Sequence, residues 1–188
     1  MKVSILIANY NNANYISDCI SSLKNQSYKD IEIIFFDDKS TDLSLEIAKK
    51  FPGVVIISNS NEKQKHSSFN QLNSYREAFK KSTGEIISFL DSDDYFHEEK
   101  ISNVVKEFEK NNNLKVVFDL PIIKTDIGEK IPKRQFLNKT YWPYIPPQSC
   151  LSISRKYIEQ IYDLIDFNLF PNIWMDFRIG IVFEIHTG

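Results

Sequence analysis

The hydrophobic positions of this chain fall into short continuous runs that alternate with longer, periodically apolar segments. These runs, each with at most one polar residue, occupy residues 3–8, 31–36, 54–57 and 86–90, and a further run lies around 116–119. Runs without polar alternation are typical of strands that are buried on both faces of a parallel sheet. The pattern therefore predicts five strands at the centre of the molecule.

The segments between these runs carry apolar residues every three or four positions, which is the spacing of an amphipathic helix. Helices are predicted over residues 16–23, 45–51, 69–79, 101–108 and 155–165. The alternation of strands and helices predicts an α/β fold, with a mostly parallel sheet and helices on both of its faces.

Three parts of the chain lack a clear periodic pattern. Residues 58–68 are polar and are interpreted as a loop. Residues 121–148 are rich in proline, basic and aromatic residues, and no element is predicted there. A short helical or strand-like segment is expected after Asp176.

The strand at 86–90 runs directly into three carboxylates, Asp91, Asp93 and Asp94. Ionised carboxylates are costly to bury unpaired, so they should lie at the end of the strand. Two acids separated by one residue offer oxygen ligands to Mg²⁺ or Mn²⁺, which usually share their coordination with substrate phosphates. The alternative is a surface turn whose acids cap the helix that follows Glu98 and Glu99. This motif alone leaves both interpretations open.

Two other predicted strands also end in polar residues. Ala8, Asn9 and Tyr10 follow the first strand, and Asp37 and Asp38 follow the second. In open α/β sheets, ligands bind beyond the carboxyl ends of the strands. The sequence therefore predicts a ligand site formed by these three strand ends.

Composition narrows the class of protein further. The chain has 188 residues with 42% hydrophobic and 26% charged residues, which suits one globular domain. A net charge of -2 gives no general attraction to nucleic acid or to anionic membranes, although a local basic patch stays open. Cys19 and Cys150 are too isolated to indicate a disulfide framework or a zinc site. No apolar run approaches the roughly 20 residues of a transmembrane helix, and we expect a cytoplasmic protein.

Three segments of the chain carry a family resemblance. They read VSILIANYNN from residue 3, IEIIFFDDKSTD from residue 31 and TGEIISFLDSDD from residue 83. In their residues, order and spacing, these segments resemble the family 2 glycosyltransferases, which are inverting enzymes with the GT-A fold. The resemblance covers roughly the first half of the chain.

The resemblance implies transfer of a sugar from a nucleoside-diphosphate donor, commonly a UDP-sugar, to a hydroxyl group of a glycan or glycolipid acceptor. A divalent cation, usually Mn²⁺ or Mg²⁺, would assist, and surface polysaccharide or glycolipid synthesis would be the setting. Residues 1–120 would form the nucleotide-sugar-binding half of a single GT-A domain. Residues 121–188 would form the acceptor side, and the chain stops short of the family's usual C-terminal strands. Peripheral association of the protein with the inner face of a membrane is also compatible with the resemblance.

The resemblance also assigns roles to individual residues. The residues that would contact the nucleotide are Ala8, Asn9, Tyr10, Asp38, Asp91 and Ser92, and Asp93 would bind the metal. Asp38 would hydrogen-bond the nucleobase, while Asp91 would face the ribose. The structural alternatives are helix capping for Asp38 and ordinary packing at a strand end for Tyr10.

An inverting transfer also needs a general base that deprotonates the acceptor hydroxyl. By its place in the family pattern, Asp176 is the candidate, with a helix cap as its structural alternative. Asp163 and Asp166 are competing acids that fit a helix surface better. His186 could support a metal site, although an isolated histidine is more often structural.

The chain departs from the family pattern at two positions. Lys39 stands where the family commonly has glycine. Arg76, preceded by Tyr75, stands where the family often shows an Arg-Asn pair. Arg76 could contact the donor diphosphate, or it could be a solvated helix residue.

Other interpretations remain. The segment 141–144, Tyr-Trp-Pro-Tyr, could stack against a sugar acceptor or could cover the end of the sheet. A phosphatase with an aspartate nucleophile is an alternative for the acids after the strand at 86–90. A catalytically inactive, nucleotide-binding relative is the non-enzymatic alternative.

Overall fold

The computed structural model of the chain describes residues 1–62, 65–131, 147–164 and 172–187. Its strands are β1 Val3–Asn9, β2 Ile31–Asp37, β3 Val54–Ser58, β4 Ile86–Asp91, β5 Val116–Phe118, β6 Ile123–Thr125, β7 Gly128–Lys130 and β8 Leu151–Ser154. Its α-helices are α1 Ala13–Lys24, α2 Ser44–Ala48, α3 Ser67–Lys81, α4 Lys100–Lys110, α5 Arg155–Ile161 and α6 Met175–Thr187. Short 3₁₀ turns cover Gln148–Cys150 and Tyr162–Leu164.

The described strands form a six-stranded sheet in the order β3-β2-β1-β4-β8-β5, beside a separate β6–β7 hairpin. β1 pairs in parallel with both β2 and β4, and β2 pairs in parallel with β3. β8 is antiparallel to both of its neighbours, β4 and β5. The prediction of a mostly parallel sheet is confirmed, and within this six-stranded sheet β8 is the strand that the sequence did not predict.

The register of the parallel strands brings their polar ends together. Asn9 lies opposite Asp37, and Ala8 lies opposite Asp91. Asp37 in turn lies opposite Ser58 at the end of β3. Three strand ends therefore present their polar residues along one edge of the sheet.

Both faces of the sheet are covered by helices. Leu6 and Ala8 pack on one face in a cluster that includes residues of α3, α5 and α6. Ile5 and Ile7 pack on the other face against residues of α1 and α4. Every residue of β1 is buried, as its continuous apolar run predicts.

The elements after residue 120 differ from the sequence prediction. Residues 123–130 form the β6–β7 hairpin, where no element was predicted, because its two strands are only three residues long and all exposed. The helix predicted over 155–165 ends at Ile161 and continues as a 3₁₀ turn to Leu164.

α6, for which only a short segment was expected, has 13 residues, and its apolar residues follow no helical stripe. α3 begins at Ser67, inside the predicted loop. Among the described residues, no helix is both long and apolar enough to cross a membrane.

Candidate active site

A cleft of about 590 Å³ lies beyond the carboxyl ends of β1, β2 and β4. It brings together residues from both halves of the chain. The predicted site residues that line it are Ala8, Asn9, Tyr10, Asp38, Asp91, Ser92, Asp93 and Asp176. The sequence analysis therefore named the residues at the strand ends that form one wall of this cleft, but it did not predict the cleft itself.

α3 supplies a second wall, which the sequence analysis missed. Its contributions are Ser67, Asn70, Gln71 and Ser74, and Lys65 lines the cleft just before the helix. The helical pattern of α3 was recognised from its apolar face. No sequence signal marked which of its polar residues would face a ligand.

A third group of lining residues comes from the second half of the chain. Pro147 and Gln148 precede β8, and Trp174 precedes α6. The sequence analysis gave neither Gln148 nor Trp174 a role.

Asp91 ends β4 and is held by two donors from α3. Gln71 Nε2 and the Tyr75 hydroxyl each donate to Asp91 Oδ1, both over 2.7 Å. The backbone N–H of Asp91 donates to Ser149 Oγ over 3.1 Å. Burial raises the pKa of Asp91 to about 7, against the opposing hydrogen bond from Tyr75. One carboxylate oxygen is thus fixed by the protein, which leaves Oδ2 for a ligand.

Asp93 is exposed and lines the cleft two residues beyond Asp91. Within the part of the chain that the structure describes, no hydrogen bond or ion pair engages its carboxylate. The described residues also contain no group of three or more His, Cys, Asp or Glu side chains placed to hold a metal by themselves. An exposed carboxylate beside a cleft can serve as one oxygen ligand of Mg²⁺ or Mn²⁺, which usually complete their coordination with phosphate oxygens and water.

The two acids that end β2 have different surroundings. Asp37 is buried and accepts hydrogen bonds from Asn9 Nδ2 over 2.8 Å and from the Ser40 N–H over 3.0 Å. Asp38 accepts from Asn59 Nδ2 over 2.6 Å, and its own N–H donates to the Asn9 carbonyl over 2.8 Å. Asp37 stabilises the turn, whereas Asp38 lines the cleft.

Lys39, which departs from the family pattern, has a left-handed backbone with φ of 55°. Glycine adopts this region at no steric cost, which explains why glycine suits this position. Asn11 has a similar φ of 54°, and its Oδ1 accepts from the Thr41 N–H over 2.8 Å. The departure at Lys39 therefore places strain in the turn without changing the lining of the cleft.

Asp176 lies in the first turn of α6 and lines the same cleft as the ends of β1, β2 and β4. Its backbone N–H donates to Gln148 Oε1 over 2.9 Å, and its Oδ1 accepts from the Phe177 N–H over 2.7 Å. Burial raises the pKa of the Asp176 carboxyl, although the hydrogen bond from Phe177 opposes this. A raised pKa moves a carboxylate toward the range in which it accepts a proton effectively.

The remaining predicted residues are Arg76 and several that lie outside the described part of the chain. Arg76 is half-buried on α3 and is not among the described residues that line the cleft. The segment 141–144, Asp166 and the side chains of Asp163 and His186 lie outside the described residues.

Comparison with known proteins identifies the family. The sequence profile of glycosyl transferase family 2 matches residues 4–177. The chain is 38% identical over 142 residues to a poly(ribitol-phosphate) beta-glucosyltransferase of Bacillus spizizenii, which covers 72% of this chain and 21% of that protein. An uncharacterized glycosyltransferase of Nostoc sp. is 28% identical over 180 residues, or 87% of this chain and 54% of the relative. The chain thus spans about half, or less, of the length of these relatives.

Solved structures share the fold. TarS of S. aureus in complex with UDP superposes with a TM-score of 0.69 at 21% identity, covering 85% of this chain and 48% of TarS. A mannosyltransferase of Pyrobaculum calidifontis, solved with GDP-Man and Mn²⁺, gives a TM-score of 0.65 at 19% identity, covering 85% of this chain and 46% of that one. With the six-stranded sheet and its helices, these matches show a GT-A fold. The chain belongs to glycosyl transferase family 2.

Proposed function

We propose that this protein transfers a sugar from a nucleoside-diphosphate donor to an acceptor hydroxyl group, with inversion at the anomeric carbon. One observation carries the proposal: a single cleft is lined by Asp91 and Asp93 at the end of β4 and by Asp176 at the start of α6. The reaction needs both a site for a diphosphate leaving group and a proton acceptor on the hydroxyl that attacks.

The nucleotide would lie against the ends of β1 and β2. Ala8, Asn9 and Tyr10 offer a backbone edge and an exposed aromatic ring, and Asp38 offers a carboxylate to the base. Asp91 and Ser92 would face the ribose. A protein of the same fold, TarS, has been solved with UDP, which supports UDP as the nucleotide. The contact of Arg76 with the diphosphate stays a prediction.

Asp93 would hold the divalent cation, Mn²⁺ or Mg²⁺. When bound, the cation neutralises charge on the leaving diphosphate. The Mn²⁺ complex of the Pyrobaculum mannosyltransferase supports this choice of ion class. Asp93 needs no rearrangement for this role, because it is exposed in the cleft and its carboxylate is engaged by no hydrogen bond or ion pair from the described residues.

Asp176 would accept the proton from the attacking hydroxyl group. Burial keeps its pKa above the usual value, and its position at the first turn of α6 is fixed by Gln148. Residues 1–120 would thus hold the donor, and residues 121–188 would supply the base and the acceptor side. The chain would act in the cytoplasm, or at the inner face of a membrane, on a glycan or glycolipid in surface polysaccharide synthesis. The named substrate of the Bacillus relative, a poly(ribitol-phosphate), supports an acceptor of this kind.

The test is a calorimetric titration with UDP, in the presence and absence of Mn²⁺, on the wild type and on Asp93→Ala. We expect binding that depends on Mn²⁺ and that Asp93→Ala loses. If the wild type bound none of UDP, GDP, CDP and dTDP, the proposal for this chain would be overturned.

Binding without sugar transfer or donor hydrolysis would instead favour the catalytically inactive nucleotide-binding alternative. The family assignment leaves the phosphatase alternative without support.

A further inference from the structure

Three buried amide atoms that belong to cleft-lining residues have no hydrogen-bond partner among the described residues: Asn9 Oδ1, Gln71 Oε1 and Gln148 Nε2. In each amide group, the other atom is bound to the protein. Asn9 Nδ2 donates to Asp37 and Ser40, and Gln71 Nε2 donates to Asp91. Buried polar groups in folded proteins are almost always paired, so three half-paired amides around one cleft point to a missing ligand.

Gln148 is the clearest of the three, because its orientation is fixed. Its Oε1 accepts a hydrogen bond from the Asp176 backbone N–H over 2.9 Å. A backbone N–H can only donate, so the amide atom that faces it must be the oxygen. The remaining atom, Nε2, is therefore a donor, and the side chain is only 3% exposed.

A buried glutamine with a purely structural role looks different, as Gln26 shows. Gln26 is 0% exposed, and both of its amide atoms are satisfied. Its Nε2 donates to the carbonyls of Ser22 and His97 over 3.1 and 2.9 Å, and its Oε1 accepts from the Ile101 N–H over 3.1 Å. The contrast indicates that the free donor of Gln148 is not explained by folding alone.

The position of Gln148 indicates which part of a ligand it would meet. It contacts Asp176, the proposed base, and the next residue, Ser149, accepts from the backbone of Asp91 on the nucleotide side. In a transfer reaction, the group that lies between the nucleotide and the base is the sugar being transferred. Its hydroxyl and carbonyl oxygens are the acceptors that a free N–H donor needs.

We propose that Gln148 is a sugar-recognition residue: Nε2 donates to an oxygen of the transferred sugar, while Oε1 holds the first turn of α6 in place. The proposal rests on the function proposed above. Sugar binding and the placement of Asp176 would then share one side chain. Loss of Gln148 should weaken the binding of nucleotide-sugars and leave the binding of the bare nucleotide unchanged.

The experiment compares UDP, UDP-glucose and UDP-N-acetylglucosamine, each titrated with Mn²⁺ into the wild type, Gln148→Met and Gln26→Met. Methionine keeps the length of the side chain and removes both hydrogen bonds. For Gln148→Met we expect a dissociation constant for UDP within twofold of wild type and a three- to tenfold weaker one for at least one UDP-sugar. Gln26→Met, the matched control, should lower the unfolding temperature and leave the ratio of UDP-sugar to UDP affinity unchanged.

A second measurement uses the wild type, so that it does not depend on the folding of a variant. The side-chain NH₂ resonances of Gln148 should shift on addition of the UDP-sugar and should not shift with UDP alone. Equal shifts with UDP would place the contact at the diphosphate and overturn the proposal, as would no shift with either sugar.

Failure of the proposed function has its own signature, because the wild type would then bind no UDP at all. Wild-type binding of UDP with equal losses for UDP and UDP-sugar in Gln148→Met would overturn only the role of Gln148.

Discussion

Carboxylates at the two ends of the central sheet have opposite surroundings. At the amino end, Glu32 accepts hydrogen bonds from Ser4 Oγ over 2.5 Å, from the N–H and hydroxyl of Thr83 over 2.5 and 2.9 Å, and from the Gly84 N–H over 3.1 Å. It also forms an ion pair with Lys2 over 2.6 Å. Partial burial by itself would raise the pKa of Glu32, but these donors outweigh burial and lower the pKa to about 2.

At the carboxyl end, Asp91 and Asp176 are also partly buried, but they have fewer donors. Burial therefore dominates, and it raises the pKa of both carboxyl groups, that of Asp91 to about 7. Asp93 beside them is exposed, and no hydrogen bond or ion pair from the described residues engages its carboxylate. This end of the sheet holds negative charge that the protein itself does not neutralise, which is the condition for binding a cation or a proton.

The comparison shows that the number of donors, rather than the residue type, separates the lowered pKa of Glu32 from the raised pKa values of Asp91 and Asp176. The donors of Glu32 depend on a close approach at Gly84. A Cβ atom there would lie 2.6 Å from the backbone nitrogen and Oγ of Ser4. Only glycine lets the chain before β4 pass close enough for its N–H groups to reach Glu32.

The largest expected effect is on turnover, at the carboxyl end. We expect Asp176→Asn to lower sugar transfer or donor hydrolysis by at least about 100-fold, because it removes the proton acceptor. The dissociation constant of UDP and the unfolding temperature should stay close to wild type. Turnover is measured by release of UDP. Retention of half the wild-type rate would show that Asp176 is not the base.

The next largest effect is on stability, at the amino end. We expect Glu32→Gln to lower the free energy of unfolding by about 2 kcal/mol, because an amide replaces a charged acceptor of several donors. Urea unfolding measures the loss, and turnover per folded molecule should not change. The control is Glu107→Gln on the surface of α4, where the carboxylate is 52% exposed and pairs with Lys110. That variant should stay within about 0.5 kcal/mol of wild type.

The smallest effect is on the slope of stability with pH, at most about 1.4 kcal/mol per pH unit for one proton. Glu32 has a folded pKa of about 2, below its usual 4.5, so its contribution is present above pH 4.5 and is lost as pH falls toward 2. Asp91 has a folded pKa of about 7, above its usual 3.8, so the ligand-free protein loses stability as pH rises from 3.8 to 7.

Unfolding of the wild type, Glu32→Gln and Asp91→Asn, measured across this pH range without divalent cations, checks the two signs. Relative to wild type, Glu32→Gln should become less stable as pH rises from 2 to 4.5. Relative to wild type, Asp91→Asn should become more stable as pH rises from 3.8 to 7, because the amide cannot ionise, and its Oδ1 can still accept from Tyr75. The contrast between the two ends would be contradicted if both variants gained stability relative to wild type as pH rises, or if both lost it.

The sequence by itself determined the central strands and the edge at which the acids lie. Consecutive apolar residues specify a buried strand locally, and a parallel sheet necessarily places successive strand ends at one edge. That is why β1, β2 and β4 and their terminal acids were predicted, and why Asp91 and Asp93 line the cleft with Ala8 and Asp38.

Only the tertiary structure decided which groups surround those acids. Gln71 and Tyr75 meet Asp91 across 20 and 16 residues of chain, and Gln148 meets Asp176 across 28. β8 also enters the sheet between β4 and β5, which follow each other in the chain. These contacts depend on the path of the whole chain. The residue type of a side chain and its neighbours in sequence do not determine which distant donor will reach it. The pKa values of the acids, and with them their chemistry, are properties of the assembled fold.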